Sequence, residues 1–267
     1  MKKFWKKTSL FLVTAAMTVS APLMAWALEH DIVILHTNDI HCGINDNIGF
    51  DGLAQIKRDT LARTPNVALV DAGDAIQGAP IGKLSRGLAV VSIMNYLGYD
   101  FCIPGNHEFD YGMDRFLELV PLQRAGYYCA NFVYAGNNKQ VLPGYKIMQY
   151  EDTKVAFVGA STPESLTTST PTFFQNEKGK YIYSFCEDKT GNKLYKQLQK
   201  NVDKARKDGA DYVFIVGHLG MDGTTPQWSS ESVAKNTQGV DAVIDGHSHE
   251  RFTRMVKNKV GKDVLLA

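Results

Sequence analysis

The chain lacks a strong charge excess of either sign. Its 267 residues include 29 Lys and Arg against 28 Asp and Glu, a formal net charge of +1. Proteins that bind the phosphates of duplex nucleic acid need a surface rich in Lys and Arg, so the sequence argues against a nucleic-acid duplex as partner. No acidic field is present either. Any attraction for an anionic ligand must therefore be local, and bound metal ions could supply it.

Long apolar runs are scarce. The first 27 residues combine four early lysines, an apolar run over residues 10–19 and the small-residue cleavage pattern Ala25-Trp26-Ala27. The run is shorter than the ~20 residues that a membrane span needs, which favours a cleaved signal peptide over an uncleaved N-terminal anchor. We expect no stable membrane span and a mature protein that begins at Leu28. The protein would be exported, either periplasmic or secreted.

Cysteine is sparse and never occurs as C-x-x-C, so the sequence suggests no cysteine zinc site. Four cysteines follow the cleavage site, and export would permit two disulfides in three possible pairings. The alternative is four free thiols in the core. Cys102 and Cys129 lie inside apolar runs, which favours this second interpretation.

Predicted strands and helices alternate along the chain, which indicates an α/β protein with a substantially parallel sheet. The helices are predicted at residues 52–63, 87–97, 113–124 and 194–207. A hairpin is predicted from residues 145–150 and 154–159, which would make a sheet mixed. Residues 161–191 are rich in Ser, Thr, Lys and Asn and predict a long surface excursion. Residues 264–267 predict a strand without a following turn, which favours a fragment of a longer protein.

Five short blocks of polar residues each follow a predicted strand, over residues 32–35, 67–70, 100–103, 212–216 and 242–244. The blocks are Asp39-Ile40-His41, Gly73-Asp74, Gly105-Asn106-His107-Glu108, Gly217-His218 and Gly246-His247-Ser248-His249. Five of the seven histidines fall in these blocks, and His30 and His36 remain as structural residues. Because ligands bind where the strands of an α/β sheet end, we expect the blocks to meet at one edge. The set indicates metal-assisted hydrolysis.

The residue types in the blocks suit a pair of metal ions. Two divalent ions about 3.5–4 Å apart can clamp an in-line displacement at phosphorus. Such a pair needs one carboxylate that bridges both ions, the role predicted for Asp74. Neutral imidazoles suit Mn, Zn, Fe or Ni, and the amide oxygen of Asn106 offers a neutral donor. Sparing use of carboxylates keeps the site positive enough to attract phosphate.

In this order the five blocks resemble the calcineurin-like metallophosphoesterases. More narrowly, HTNDIH at residues 36–41 and GNHEFDYG at residues 105–112 resemble the exported 5′-nucleotidase branch. The resemblance runs from about Ile32 to Ala267, and it implies that residues 28–267 form one metallophosphoesterase domain. It implies a four-layer α/β/β/α sandwich with two mixed sheets flanked by helices. It also implies that the C-terminal nucleotide-specificity domain of the full 5′-nucleotidases is absent here.

The resemblance further implies roles for individual residues. One ion, Zn, Mn or similar, would be held by Asp39, His41, Asp74 and His249. The second ion would be held by Asp74, Asn106, His218 and His247. Catalysis would involve His107, which contacts the phosphate and stabilises the transition state, and Asp110, which orients its ring. Asn106 and His107 would thus bind substrate, while Asn38 and Asp71 would be either supporting or turn residues.

These expectations lead to dinuclear-metal hydrolysis of nucleotide phosphate monoesters as the predicted function. Within the same superfamily, the alternatives are a cyclic-nucleotide phosphodiesterase and a nucleotide-sugar hydrolase. A third alternative belongs to another class, a truncated metal-binding remnant with little activity. The partner in the first two cases is a nucleotide or another phosphoester substrate.

Overall fold

A computed structural model describes residues 31–221 and 224–267. The predicted signal peptide, its cleavage site and His30 lie outside the described residues. The described helices are α1 (Gly49–Leu61), α2 (Pro80–Ser85), α3 (Leu88–Leu97), α4 (Met113–Leu119), α5 (Ser165–Thr168), α6 (Asn192–Lys207) and α7 (Ser230–Asn236). The described strands are β1 (Val33–Thr37), β2 (Val67–Asp71), β3 (Phe101–Cys102), β4 (Val133–Tyr134), β5 (Tyr145–Tyr150), β6 (Thr153–Ser161), β7 (Tyr183–Ser184), β8 (Tyr212–His218), β9 (Ala242–Ile244), β10 (Arg254–Lys257) and β11 (Asp263–Leu266).

Two principal sheets carry the fold. The larger has the order β10-β11-β9-β8-β6-β5, and it is mixed because β5–β6 and β10–β11 pair antiparallel. The predicted hairpin is therefore confirmed. The smaller sheet, β1-β2-β3, has parallel pairs only, which corrects the expectation of two mixed sheets. Helix α1 links β1 to β2, while α2 and α3 link β2 to β3, and such crossovers produce parallel neighbours. Strands β4 and β7 form a separate small ribbon.

Alternation along the strands divides the core into layers. Leu69 of β2 packs with helices α1, α3 and α4, whereas its neighbours Ala68 and Val70 face the other sheet. In β6, Phe157 fills the space between the sheets, and Val158 packs with α6 and α7 on the far side. Successive strand residues point to opposite faces, so one strand serves both layers. The predicted α/β/β/α sandwich is confirmed.

The helices mostly agree with the sequence patterns. In α6, the predicted stripe of Leu194, Leu198, Val202 and Ala205 is fully buried. Helix α4 stops earlier than predicted and continues as a 3₁₀ turn, Val120–Leu122. Pro121 has no amide hydrogen to continue the α-helical ladder there. Helix α2 was not predicted, although proline at its first position is a helix-start signal.

The expectation that residues 161–191 form a surface excursion holds only for residues 176–182, which are all exposed. Phe174 and Phe185 are fully buried in the same core as helices α1, α3 and α4. Their rings lie 5.2 and 5.6 Å from that of Phe109, in the turn that follows the third block. Buried aromatic rings carry large apolar areas, so a polar composition did not prevent packing. The segment therefore lies against the turn that carries His107.

All four cysteines are buried and unpaired, which confirms the interpretation as free thiols. The C-terminal apolar run forms β11, which lies between β9 and β10 in the larger sheet. Its Val264 and Leu266 side chains are buried. Within residues 31–221 and 224–267, no helix has both the length and the apolar composition required of a membrane span.

Candidate metal centre

The five blocks converge at the carboxyl ends of the strands. Two groups of donors form there, each with its ligand atoms within 4.8 Å of one another. The first group, half-buried, is Asp39, His41 and His249, and the second, deeper group is Asp74, His218 and His247. The seventh predicted ligand joins the second group, since Asn106 Oδ1 lies 3.3 Å from His218 Nε2. The structure thus brings all seven predicted ligands together.

Asp74 lies between the two groups. Its Oδ2 is 3.0 Å from His218 Nε2 in the second group and 3.9 Å from His41 Nε2 in the first. Asp39 is also near both groups, with Oδ1 3.3 Å from His249 Nε2 in the first and 3.9 Å from His218 Nε2 in the second. One oxygen of Asp74 therefore faces imidazoles of both groups, which is the position that a bridging ligand requires.

Five of the predicted ligands have left-handed backbone conformations. Their φ angles lie between +47° and +83°, at Asp39, His41, Asp74, His247 and His249. Non-glycine residues rarely occupy this region, and each such conformation costs of order 1–3 kcal/mol. Strain of this kind clusters at functional sites, so the backbone here is shaped to turn polar side chains towards one point.

Two glycines allow the second and third blocks to approach each other. Gly73 has φ +92°, and a Cβ on it would lie 2.6 Å from the amide nitrogen of Gly105. A Cβ on Gly105 would lie 2.2 Å from Oδ1 of Asp74. Both contacts are far shorter than van der Waals distance. Glycine at these two positions is therefore needed to bring Asp74 and Asn106 into the same site.

Glu108 is a structural residue that the sequence interpretation left without a role. Its buried carboxylate accepts hydrogen bonds from the amides of Asp74 (2.7 Å), Ala75 (2.8 Å), Ile76 (3.2 Å) and Gly105 (2.6 Å). Burial raises the pKa of Glu108 to about 7, against the opposing effect of these amides. The side chain holds the second and third blocks together. The only sequence signal for this role was the position of Glu108 in the third block, beside the predicted ligand Asn106.

Backbone carbonyls fix two of the imidazoles. His218 Nδ1 lies 2.8 Å from the carbonyl oxygen of Ala72, and His41 Nδ1 lies 3.2 Å from that of Gln77. A carbonyl only accepts, so Nδ1 carries the proton and Nε2 is available as a ligand atom. Burial lowers the pKa of His218, but the carboxylate of Asp74 outweighs it and raises the pKa to about 10. Metal binding at His218 would therefore release a proton.

His107 and Asp110 form a close pair beside the two groups. Nδ1 of His107 is 2.6 Å from Oδ2 of Asp110, and this hydrogen bond raises the pKa of His107. The His107 ring centroid is 5.3 Å from that of His41. The His107 amide donates to Oδ1 of Asp74 at 2.8 Å. An imidazole whose protonated form is favoured by Asp110 is thus held next to the donor groups, with its other nitrogen, Nε2, turned away from Asp110.

The two candidate supporting residues also lie at the site. Asn38 Nδ2 donates to Oδ2 of Asp39 at 2.8 Å. Asp71 is buried and accepts from Thr37 Oγ1 at 2.8 Å and from the amide of Gly73 at 3.1 Å, so it shapes the turn before Asp74. A further carboxylate was not predicted: Oε2 of Glu164 lies 3.1 Å from Nε2 of His247. Glu164 comes from the segment that was expected to be a surface loop.

The donor set fits a pair of divalent ions. Each group combines imidazole nitrogen with carboxylate oxygen, and Asp74 lies where it can serve both. Mixed nitrogen and oxygen donors suit Zn, Mn and related ions rather than Ca or Mg. Fold and site together define an α/β/β/α protein of the metal-dependent phosphoesterase class.

The sequence profile of the family described as calcineurin-like phosphoesterase matches residues 32–251, and the chain belongs to this family. A snake venom 5′-nucleotidase from Gloydius brevicauda is 29% identical over 259 residues, which cover 90% of this chain and 40% of that protein. A 2′,3′-cyclic-nucleotide 2′-phosphodiesterase/3′-nucleotidase from Haemophilus influenzae is 26% identical over 272 residues, with the same coverage of 90% and 40%.

Among solved structures, a 5′-nucleotidase precursor from Thermus thermophilus superposes with a TM-score of 0.72 at 25% identity. The match covers 88% of this chain and 48% of that one. The chain therefore spans about 40% of the length of the curated relatives and about half of this structural relative.

Proposed function

We propose that this protein hydrolyses phosphate monoesters of nucleotides with two divalent metal ions, as a 5′-nucleotidase does. The observation that carries the proposal is the position of Asp74, with one oxygen 3.0 Å from His218 and 3.9 Å from His41. A carboxylate between two donor groups, beside an imidazole whose protonated form is favoured, suits in-line displacement at phosphorus. The similarity to 5′-nucleotidases supports a nucleotide as the substrate.

In this proposal the seven donors divide into two sets that share one carboxylate. One ion would be held by Asp39, His41, Asp74 and His249, and the other by Asp74, Asn106, His218 and His247. When bound, the two ions would act as Lewis acids that polarise the phosphoryl oxygens. The chain's own part is to hold the donors and to place the phosphate between them and His107.

His107 would stabilise charge that develops on the phosphoryl oxygens. The hydrogen bond to Asp110 fixes the imidazole orientation and favours its protonated form, so Nε2 can donate to the phosphate. Asn106, next to it in the chain, would touch the substrate as well as the second ion. Preorganised donors of this kind act without reorganising during the reaction.

We also propose that residues 1–27 are a signal peptide, that residues 28–267 are the metallophosphoesterase domain, and that the protein acts in the periplasm or after secretion. The lysines, apolar run and Ala25-Trp26-Ala27 pattern support export. N-terminal sequencing of the exported protein should find Leu28 first. A product that starts at Met1 and stays with the membrane fraction would contradict cleavage.

A second candidate function is cleavage of cyclic nucleotides. The Haemophilus influenzae relative is named for both a cyclic phosphodiesterase and a 3′-nucleotidase activity, and it covers as much of this chain as the venom enzyme. Comparing AMP, 3′-AMP and 2′,3′-cyclic AMP as substrates separates the two candidates. Preference for AMP supports the first proposal, and preference for the other two supports the second.

Elemental analysis tests the metal centre directly. The purified protein, loaded with Zn²⁺ or Mn²⁺, should contain close to two ions per chain. Asp74→Asn should reduce the bound metal below one ion and abolish hydrolysis, because it weakens both sites. Asp59→Asn, on the exposed face of α1, is the matched control and should keep both ions. Folded wild-type protein that never exceeds one ion would refute the dinuclear site.

A further inference from the structure

The segment after β6 touches the candidate site at two points. The contacts come from the residues on either side of helix α5, Glu164 and Ser169. The helix itself is anchored, since Ser165 and Leu166 are buried and Ser165 Oγ donates to the carbonyl of Thr162 at 2.8 Å. We call residues 164–169 the brace. Its two ends reach different parts of the site.

At one end, Glu164 contacts a predicted ligand of the second donor group. Oε2 of Glu164 is 3.1 Å from Nε2 of His247, and Oε1 accepts from the amide (2.7 Å) and the hydroxyl (2.6 Å) of Thr225. An ionised carboxylate only accepts, so the proton shared with Glu164 lies on Nε2 of His247. Nδ1 is then the nitrogen available to an ion. Carboxylate partners of this type orient histidine ligands and fix their tautomer.

At the other end, Ser169 contacts the residue that orients His107. The buried hydroxyl of Ser169 donates to Oδ1 of Asp110 at 2.9 Å, while Oδ2 of Asp110 is 2.6 Å from Nδ1 of His107. Both oxygens of Asp110 are therefore occupied, and the plane of its carboxylate is fixed. Without the hydroxyl, Asp110 could rotate and the direction of the His107 ring would be less well defined.

We propose that the brace is a positioning element that holds His247 at one end and the Asp110–His107 pair at the other. Because one short helix joins the two contacts, the second donor group and the imidazole that faces the phosphate keep a fixed separation. Glu164 contacts His247 and Ser169 contacts Asp110, so in this proposal both act through other residues. The inference rests on the proposed function, in which His247 binds a metal ion and His107 contacts phosphate.

Metal affinity tests the Glu164 end. Glu164→Gln places an amide opposite Nε2 of His247 and favours the wrong tautomer, so affinity for one of two Zn²⁺ ions should fall by about 10–100-fold. The affinity is measured by competition with a chromophoric chelator. Glu177→Gln, exposed in the same segment, is the control and should leave both affinities unchanged.

In a His247→Ala background, Glu164→Gln should cause no further loss of affinity, since its effect passes through that ring. An undiminished loss there, or wild-type affinity in Glu164→Gln itself, would overturn this end of the proposal. If Glu164→Gln fails to fold, Thr225→Val provides the same test, because it removes one of the hydrogen bonds that hold Glu164. It should weaken the same ion by a smaller factor.

Kinetics and NMR test the Ser169 end. Ser169→Ala should lower kcat for p-nitrophenyl phosphate by roughly 10-fold, the value of one hydrogen bond to a charged group, with metal affinity unchanged. Thr170→Ala, which removes an exposed hydroxyl next to the brace, is the matched control. In an Asp110→Ala background, Ser169→Ala should have no further effect.

The Nδ1 proton of His107 gives a readout that does not require activity. In the zinc-loaded protein its NMR resonance should move in Ser169→Ala and stay in place in Thr170→Ala. If the wild type binds two ions but cleaves no phosphate ester, the proposed function fails, while metal affinity and this resonance still decide the brace. The brace proposal is refuted if the Ser169→Ala and Glu164→Gln variants both behave like their controls.

Discussion

Replacing Glu108 should destabilise the protein strongly, although the proposed mechanism gives this residue no contact with substrate. Its carboxylate accepts hydrogen bonds from four backbone amides, two on each oxygen. Glu108→Gln keeps the shape but turns an NH₂ group towards one pair of these donors. Each buried donor left without an acceptor costs roughly 1–3 kcal/mol, so the loss of two predicts roughly 2–6 kcal/mol. That is a large part of the ~5–15 kcal/mol net stability of a typical domain.

Urea denaturation of the chelator-treated protein measures this loss without a contribution from bound metal. The matched control is Glu118→Gln, an exposed glutamate that pairs with Arg115 at 2.9 Å, for which a loss within about 1 kcal/mol is expected. The slope of free energy against urea concentration should be the same in both variants, so that only the midpoint moves. If Glu108→Gln loses no more stability than Glu118→Gln, the four amide contacts do not support the site.

Two further predictions concern catalysis and packing. His107→Ala should keep both metal ions and lose about 10²–10³-fold in kcat, the usual effect of removing one preorganised donor; loss of metal in proportion to activity would show that His107 is a ligand instead. Phe174→Ala should cost about 3–5 kcal/mol in the free energy of unfolding because its ring is fully buried. The adjacent Phe173→Ala, from a half-buried position, should cost clearly less; equal losses in urea denaturation would contradict the packing of residues 161–191.

The strands and the donors could be predicted from sequence because both are local signals. An apolar run that ends in Gly-Asp or Gly-His indicates where a strand ends and which polar side chain follows, as at Asp74 and His218. The parallel topology then brings such strand ends to one edge without further information. For this reason the five blocks could be placed at one edge from the sequence, whereas the division of the seven donors between two ions came from the resemblance to the calcineurin-like metallophosphoesterases.

The supporting residues could not be predicted in the same way. Glu164 and Ser169 lie in a polar stretch without periodicity, and nothing local distinguishes them from solvent-exposed residues. Their roles depend on long-range packing, because the rings of Phe174 and Phe185 pack on Phe109 and so place the segment next to His107. The parallel pairing of the smaller sheet agrees with the alternation of strands and helices along the chain, whereas the expectation of two mixed sheets came from the family resemblance.

The arrangement of the donors follows from a frame made of protein atoms alone. The amides of Asp39, His41 and Cys42 donate to the carbonyls of Gly73, Asp74 and Ala75 at 2.8–3.0 Å, which continues the pairing of β1 with β2 past the strand ends. Left-handed residues in the first two blocks thereby keep their backbone hydrogen bonds, and Glu108 ties the second block to the third. These hydrogen bonds offset part of the strain of those residues and hold the donors of the three blocks in place.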